Sequence, residues 1–224
     1  MKTTRVESKG GCNQEGRPCA SFEVTYPEFS GLKPDVSDRL SRKIENAIGY
    51  DNPEIDGFTL EQMGDQFVGD FERFQVDFPD NGMGWYFKTM VQVNVTSDTL
   101  ISLAASSEYF TGGAHGGYTV YFVNINPSTA EDVTLHTFLK PGFEEVLNSE
   151  GQKSFRQVRG LSEEASLAEE GFEFRDGIFA VNNNYGFSQE GIVFVFNSYE
   201  IAPYALGPTE FVVPWEALRE WRKF

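Results

Sequence analysis

Between Trp85 and Ile125 the chain writes three strand-length runs in succession, Tyr86 to Val95, Leu100 to Phe110 and Gly117 to Ile125. In the last of these Val120, Phe122 and Asn124 fall on one side and Tyr121, Val123 and Ile125 on the other, the two-residue period of a pleated strand. Thr96-Ser97-Asp98 and Asn126-Pro127-Ser128-Thr129 carry turn chemistry at the joints. These spacings predict an antiparallel meander, and everything else in the chain has to pack around it.

Helical periodicity precedes the meander. Phe22-Glu23-Val24-Thr25-Tyr26 alternates like a half-buried strand and stops at Pro27. Val36, Leu40, Ile44, Ala47 and Ile48 then make one apolar stripe opposite a charged face, opening at Asp35 and closing at Gly49 and Asn52-Pro53. Thr59 with Gln62 three residues on forms a capping box, followed by Leu60, Met63, Phe67, Phe71 and Phe74 at helical spacing. That stripe is read as core packing, with Gly64 and Gly69 each weakening the helix by up to about 1 kcal/mol.

After the meander, residues 132–168 turn helical, Pro141-Gly142 preceding Phe143, Val146 and Leu147, and the acidic run from Ser162 to Glu170 reads as a solvated helix face. Strands are expected again at Phe172 to Phe174, Ile178 to Val181 and Ile192 to Phe196. Phe211-Val212-Val213 is expected to run into a helix with Pro214 near its first position. The class is therefore α+β: an antiparallel meander packed by helices, in two intimately joined subdomains. Residues 1–20 read as a flexible leader or tether, 21–98 as the smaller subdomain and 99–224 as the larger. With 21 phenylalanines, 224 residues can build a substantial core.

The charge of −16, from 34 acidic against 18 basic residues, repels phosphate backbones and anionic lipid, so nucleic acid is not an expected partner. It favours cationic partners. No apolar run reaches the 18 residues of a membrane span, and the N-terminal stretch lacks the apolar centre of a signal peptide. Cys12 and Cys19 lie in a polar Gly/Pro-rich stretch without neighbouring histidine. A local disulfide is the simplest reading; it would contribute roughly 2–3 kcal/mol and implies an oxidising compartment. Two free thiols in a mobile tail are the alternative.

Two segments carry candidate binding residues. Thr111-Gly112-Gly113-Ala114-His115-Gly116-Gly117 holds four glycines in six positions, so it joins two strands by an unusual backbone path. Either it faces a ligand, with Tyr109, Thr111, Gly112, Gly113 and His115 as contacts, or His115 bonds to backbone and locks the turn. In the segment from Phe196 to Pro208, Tyr199, Glu200, Pro203 and Tyr204 form either an aromatic binding ledge or a rigid connection. Catalytic grammar is thin: there is no Gly-x-Ser-x-Gly and no His-Glu-x-x-His, and His115 and His136 are the only histidines. No cofactor or metal is expected, and a non-enzyme is favoured over an enzyme using carboxylates and His115.

At these residues the chain resembles a known bacterial domain. Tyr109-Phe110-Thr111-Gly112-Gly113-Ala114-His115-Gly116, Gly191-Ile192-Val193-Phe194 and Tyr199-Glu200-Ile201-Ala202-Pro203-Tyr204-Ala205-Leu206-Gly207-Pro208 stand in its order and spacing. It is a domain of unknown function, paired with a smaller preceding domain whose pattern matches Thr25-Tyr26-Pro27 and the helix around Leu40 to Ile48. The pair forms the extracellular half of lysozyme-sensing anti-sigma factors and precedes the catalytic domain of some peptidoglycan deacetylases. The resemblance, over about residues 20–222, implies an extracytoplasmic, exported or lipid-anchored setting with the anchor ahead of Met1. It does not imply an enzyme, and the expected function is a non-catalytic envelope binding module that recognises cell-wall glycan or a cationic lysozyme-like protein. A cell-wall hydrolase or deacetylase-associated enzyme and a structural lipoprotein domain are the alternatives.

Overall fold

A computed structural model of the chain describes residues 1–12, 17–48 and 57–223. The fold is α+β, and contacts group it into two compact units, Met1–Gln92 with Ala105–Thr119, and Val93–Ala104 with Val120–Phe224. Three strands, β3 (Trp85–Thr96), β4 (Ile101–Phe110) and β5 (Gly117–Ile125), each contribute residues to both units.

In the first unit β1 (Lys2–Glu7) pairs antiparallel with β2 (Ala20–Tyr26), Lys2 opposite Tyr26. Lys2–Glu7, expected as part of a flexible leader, is thus an edge strand. The Cys12–Cys19 disulfide is formed and ties the β1–β2 connection. β2 lies parallel to β3 with Ala20 opposite Trp85, a departure from a pure meander. A parallel pair needs a crossover of at least about a dozen residues. Here α1 (Pro34–Ile48) and α2 (Leu60–Asp77) provide it.

The α1 stripe buries Val36, Leu40, Ile44 and Ile48 as its spacing predicts, while the expected stop at Gly49 and Asn52-Pro53 lies outside the described residues. At Thr59 the capping box closes: Gln62 N–H donates to Thr59 Oγ1 (3.3 Å) and Thr59 N–H donates to Gln62 Oε1 (2.9 Å). Gly64 does more than weaken α2, because a Cβ there would fall 2.5 Å from Val6 Cγ2. The missing side chain lets the helix settle on β1 and β2. The sheet order is β1-β2-β3-β4-β5. The connections 97–100 and 111–116 are too short for parallel crossovers, so β3, β4 and β5 form the predicted antiparallel run.

The second unit adds a three-stranded antiparallel sheet of β6 (Tyr185–Phe187), β7 (Gly191–Phe196) and β8 (Thr209–Pro214), with β7 buried along its whole length. α3 (Leu135–Phe138) is one turn, and α4 (Glu144–Arg159) lies on β8. Phe155 of α4 is the hub: Phe172, Phe174, Phe196 and Phe211 meet its ring edge-on at 5.0–6.1 Å between centroids.

Three local expectations fail here. Residues 162–170 make turns instead of a helix, because Gly160 caps α4 in the left-handed region and Arg156 Nη1 donates to the Ser162 and Ala165 carbonyls. Phe172–Phe174 and Ile178–Val181 are irregular, their apolar alternation serving the aromatic core around Phe155. Beyond Pro214, the last residue of β8, the chain makes turns and a single 3-10 turn, Arg219–Trp221.

Candidate functional site

The glycine-rich loop belongs to the first unit and links β4 to β5. Gly112 and Gly113 both have positive φ, 94° and 91°, a conformation that makes glycine the fitting residue at each. Tyr109 turns toward the helix-covered face. Its ring stacks on Phe87 (6.1 Å), which stacks on Phe22 (5.2 Å), and it lies over Gly117, where a Cβ would fall 2.1 Å from Tyr109 Cζ. Tyr109 therefore packs as one rung of a cross-strand aromatic row. A Cβ on Gly116 would meet the Tyr109 carbonyl oxygen at 2.9 Å and the Tyr86 hydroxyl at 3.4 Å. Thr111, Gly113 and His115 are exposed. His115 Nδ1 stands 2.9 Å from the Gly116 carbonyl oxygen and donates to it in this geometry. Gly112 backs onto Trp85, whose buried Nε1–H has no acceptor among the described residues.

The second loop joins β7 to β8 in the other unit. Its first turn closes on itself: Glu200 N–H donates to the Asn197 carbonyl (3.1 Å) and Asn197 N–H donates to Glu200 Oε2 (2.9 Å). Asn182 Nδ2 donates to Glu200 Oε1 (2.6 Å), so this carboxylate, named as a ligand contact, is engaged in holding the loop. Between them Tyr199 takes φ 69°, a left-handed conformation that costs a tyrosine about 1–3 kcal/mol. Tyr199 is 66% exposed, and its ring pairs with Tyr204 at 5.7 Å. Pro203 is exposed beside them.

Two supports of this loop escaped sequence reasoning. Arg159, the last residue of α4, donates from Nη1 to Leu206 O (2.8 Å), from Nη2 to Gly207 O (3.1 Å) and Pro208 O (3.2 Å), and from Nε to Thr209 Oγ1 (2.9 Å). Its guanidinium also lies over the Phe172 ring at 5.1 Å. Burial holds the Arg159 pKa below the ordinary arginine value. The second support is a frame of amides. Val120 N–H donates to Asn197 Oδ1 (2.8 Å), and the Val120 carbonyl accepts from Asn197 Nδ2 (3.1 Å) and Asn184 Nδ2 (2.8 Å). Phe122 N–H donates to Asn184 Oδ1 (3.3 Å), and Asn124 Nδ2 donates to Tyr185 O (2.7 Å). On the side of β5 away from β4, asparagine amides thus take the place of another strand.

The named residues fall into two sets, each assembled inside its own unit: Tyr109, Thr111, Gly112, Gly113 and His115 in the first, Tyr199, Glu200, Pro203 and Tyr204 in the second. Among the described residues no group of three or more His, Cys, Asp or Glu is placed to hold a metal ion. His136 packs edge-on against Phe143 at 5.0 Å. No helix among the described residues is long and apolar enough to cross a membrane.

Similar folds are known. A crystal structure of a DUF3298-family member from Bacteroides fragilis NCTC 9343 superposes with a TM-score of 0.70 at 20% identity, covering 100% of this chain and 94% of that one. A second, from Pseudomonas aeruginosa PAO1, superposes with a TM-score of 0.65 at 23% identity, covering 99% and 94%. No curated protein matches the chain. Residues 136–216 match the family model described as a protein of unknown function (DUF3298), and residues 14–118 match the one described as deacetylase PdaC, so the resemblance legible in the sequence is carried by both parts of the chain.

Proposed function

We propose that the chain is a non-catalytic, extracytoplasmic binding module of the bacterial envelope, exported or lipid-anchored in its precursor, whose Tyr199–Tyr204 ledge receives a cationic protein of the lysozyme kind. One observation carries this reading: an exposed tyrosine is held in a left-handed conformation by hydrogen bonds from both sides. Strain maintained by so much scaffolding is a mark of functional surface. Two adjacent ring faces suit a lysine or arginine side chain, each such contact adding about 0.5–2 kcal/mol. The charge of −16 would draw a basic protein in and speed its encounter at low salt. The disulfide fits an oxidising compartment.

The test is calorimetric titration of the chain with lysozyme at low and moderate salt, using wild type and a Tyr199→Ala/Tyr204→Ala double variant. Affinity should fall at least about tenfold across that salt range and again about tenfold in the variant. Equal affinity in wild type and variant removes the ledge from the function. Absence of binding at low salt removes the cationic partner.

A further inference from the structure

Side chains alternate across the strands of the first unit, and α2 lies on one of the two faces, its Phe67 meeting Phe22 and Phe87. The covered set includes Phe22, Phe87 and Tyr109, stacked in a row, with Thr89 and Ser107 bonded to each other at 2.8 Å. Neighbours in sequence point the other way. On β3 these are Tyr86, Lys88 and Met90, and on β4 Glu108 and Phe110. Because Gly117 faces the Tyr109 ring, Tyr118 of β5 joins this second set.

The uncovered face carries three aromatic side chains, Tyr86, Phe110 and Tyr118. Tyr86 is 44% exposed, Tyr118 38% and Met90 37%. The Tyr86 and Phe110 rings stack at 6.2 Å with 27° between their planes. Tyr86 leans its hydroxyl against Gly116, so the glycine-histidine loop borders this face.

Charge tells what kind of occupant the face suits. Arg5 bonds Glu23 Oε2 at 2.9 Å and also bonds Glu7, and Glu23 stands in register with Lys88. Glu108 lies on the neighbouring strand. Two cations thus meet three carboxylates on this face, one charge from neutral, within a chain of −16. A basic protein gains little here and a polyanion is repelled by the molecule as a whole. An apolar small molecule calls for a concavity, which a sheet face is not. A neutral chain of pyranose rings has flat C–H faces that stack on ring faces and hydroxyls that bond to phenol, ammonium and carboxylate groups. Tyrosine provides such amphipathic contact at low entropic cost.

We infer that this face, Tyr86, Phe110 and Tyr118 with Lys88 and Glu108, is a second binding site, and that it takes a neutral oligosaccharide. It is independent of the ledge in the other unit.

Titration with the hexasaccharides of N-acetylglucosamine and of glucose, read by calorimetry and amide chemical shifts, tests it. Wild type should bind at least one saturably, with shifts on β3 to β5. Tyr118→Ala and Tyr86→Ala should each lose about tenfold in affinity. Ile178→Ser, an exposed substitution in the other unit, should bind as wild type. Circular dichroism verifies folding, and if Tyr86→Ala does not fold, Tyr118→Ala decides. No saturable binding of either sugar overturns the site, as does undiminished binding by folded Tyr118→Ala. Self-association of wild type that Tyr118→Ala abolishes also overturns it, making the face an interface between copies. Lysozyme titrated against the same variants separates the two sites: Tyr86 and Tyr118 variants that lose sugar alone leave the ledge untouched, and variants that lose lysozyme alone overturn both the sugar site and the assignment of lysozyme to the ledge.

Discussion

Replacing Arg159 by Met keeps much of the apolar stem while deleting every donor of the clamp on the second loop. Four acceptors lose a partner: the carbonyls of Leu206, Gly207 and Pro208 and the hydroxyl of Thr209. A hydrogen bond from a charged donor contributes about 1.5–3 kcal/mol, but the acceptors at exposed Leu206 and Pro208 can turn to water and recover most of that. Buried Thr209 cannot, and leaving its hydroxyl unpaired costs about 1–3 kcal/mol. Loss of the contact with Phe172 adds about 0.5–1 kcal/mol. The sum is about 3 kcal/mol, which for a chain of this length lowers the unfolding midpoint by roughly 6–12 °C. Scanning calorimetry on wild type, Arg159→Met and Arg159→Lys reads it directly. Lysine carries the charge without the fork and should recover less than half of the loss. A midpoint for Arg159→Met within about 2 °C of wild type would refute the clamp.

Three further outcomes follow from the same geometry. Asn197→Asp should destabilise by about 2–4 kcal/mol, since it removes the donor to Val120 O and sets a carboxylate against that carbonyl; denaturant titration and faster amide exchange at Val120 would register it. Gly117→Ala should displace the Tyr109 ring at a cost of about 1–3 kcal/mol, and an unchanged midpoint would mean that the ring had room to move. Burial raises the Tyr185 pKa above the ordinary value of 10.0, so above that pH the unfolded chain releases its proton first. The unfolded state then binds fewer protons, and stability falls as pH climbs from 10.0 toward the folded value. Tyr185→Phe should flatten that alkaline slope, and an unaltered slope assigns it to other groups.

What could be read from sequence was what is local. The α1 stripe, the Thr59–Gln62 cap and the Gly117–Ile125 strand each declare themselves within a few residues, and each stands where its spacing puts it. Phe172 to Val181 shows the limit, because apolar alternation there records burial around Phe155 and no strand pairing. The supports of the Tyr199 loop were invisible for a different reason. Asn197 meets Val120 across 77 positions and Arg159 meets Leu206 across 47, so neither leaves a periodic trace. Tyr109 misleads because a tyrosine beside a glycine loop reads as exposed, whereas the absent side chain of Gly117 gives its ring a place to lie. The uncovered aromatic face needed the pairing order of the strands before Tyr86, Phe110 and Tyr118 could be put on one side.

The amide frame along β5 has a consequence for how copies of the molecule can meet. A sheet grows by strand addition where a row of N–H and C=O groups stands open. The N–H and C=O of Val120 and the N–H of Phe122 are already satisfied by Asn184 and Asn197, and an incoming strand would have to evict both side chains. Growth of the five-stranded sheet is thereby directed to its opposite margin, β1, where Lys2, Arg5 and Glu7 set charge along the strand. One border of the sheet is sealed by hydrogen bonds and the other guarded by charge.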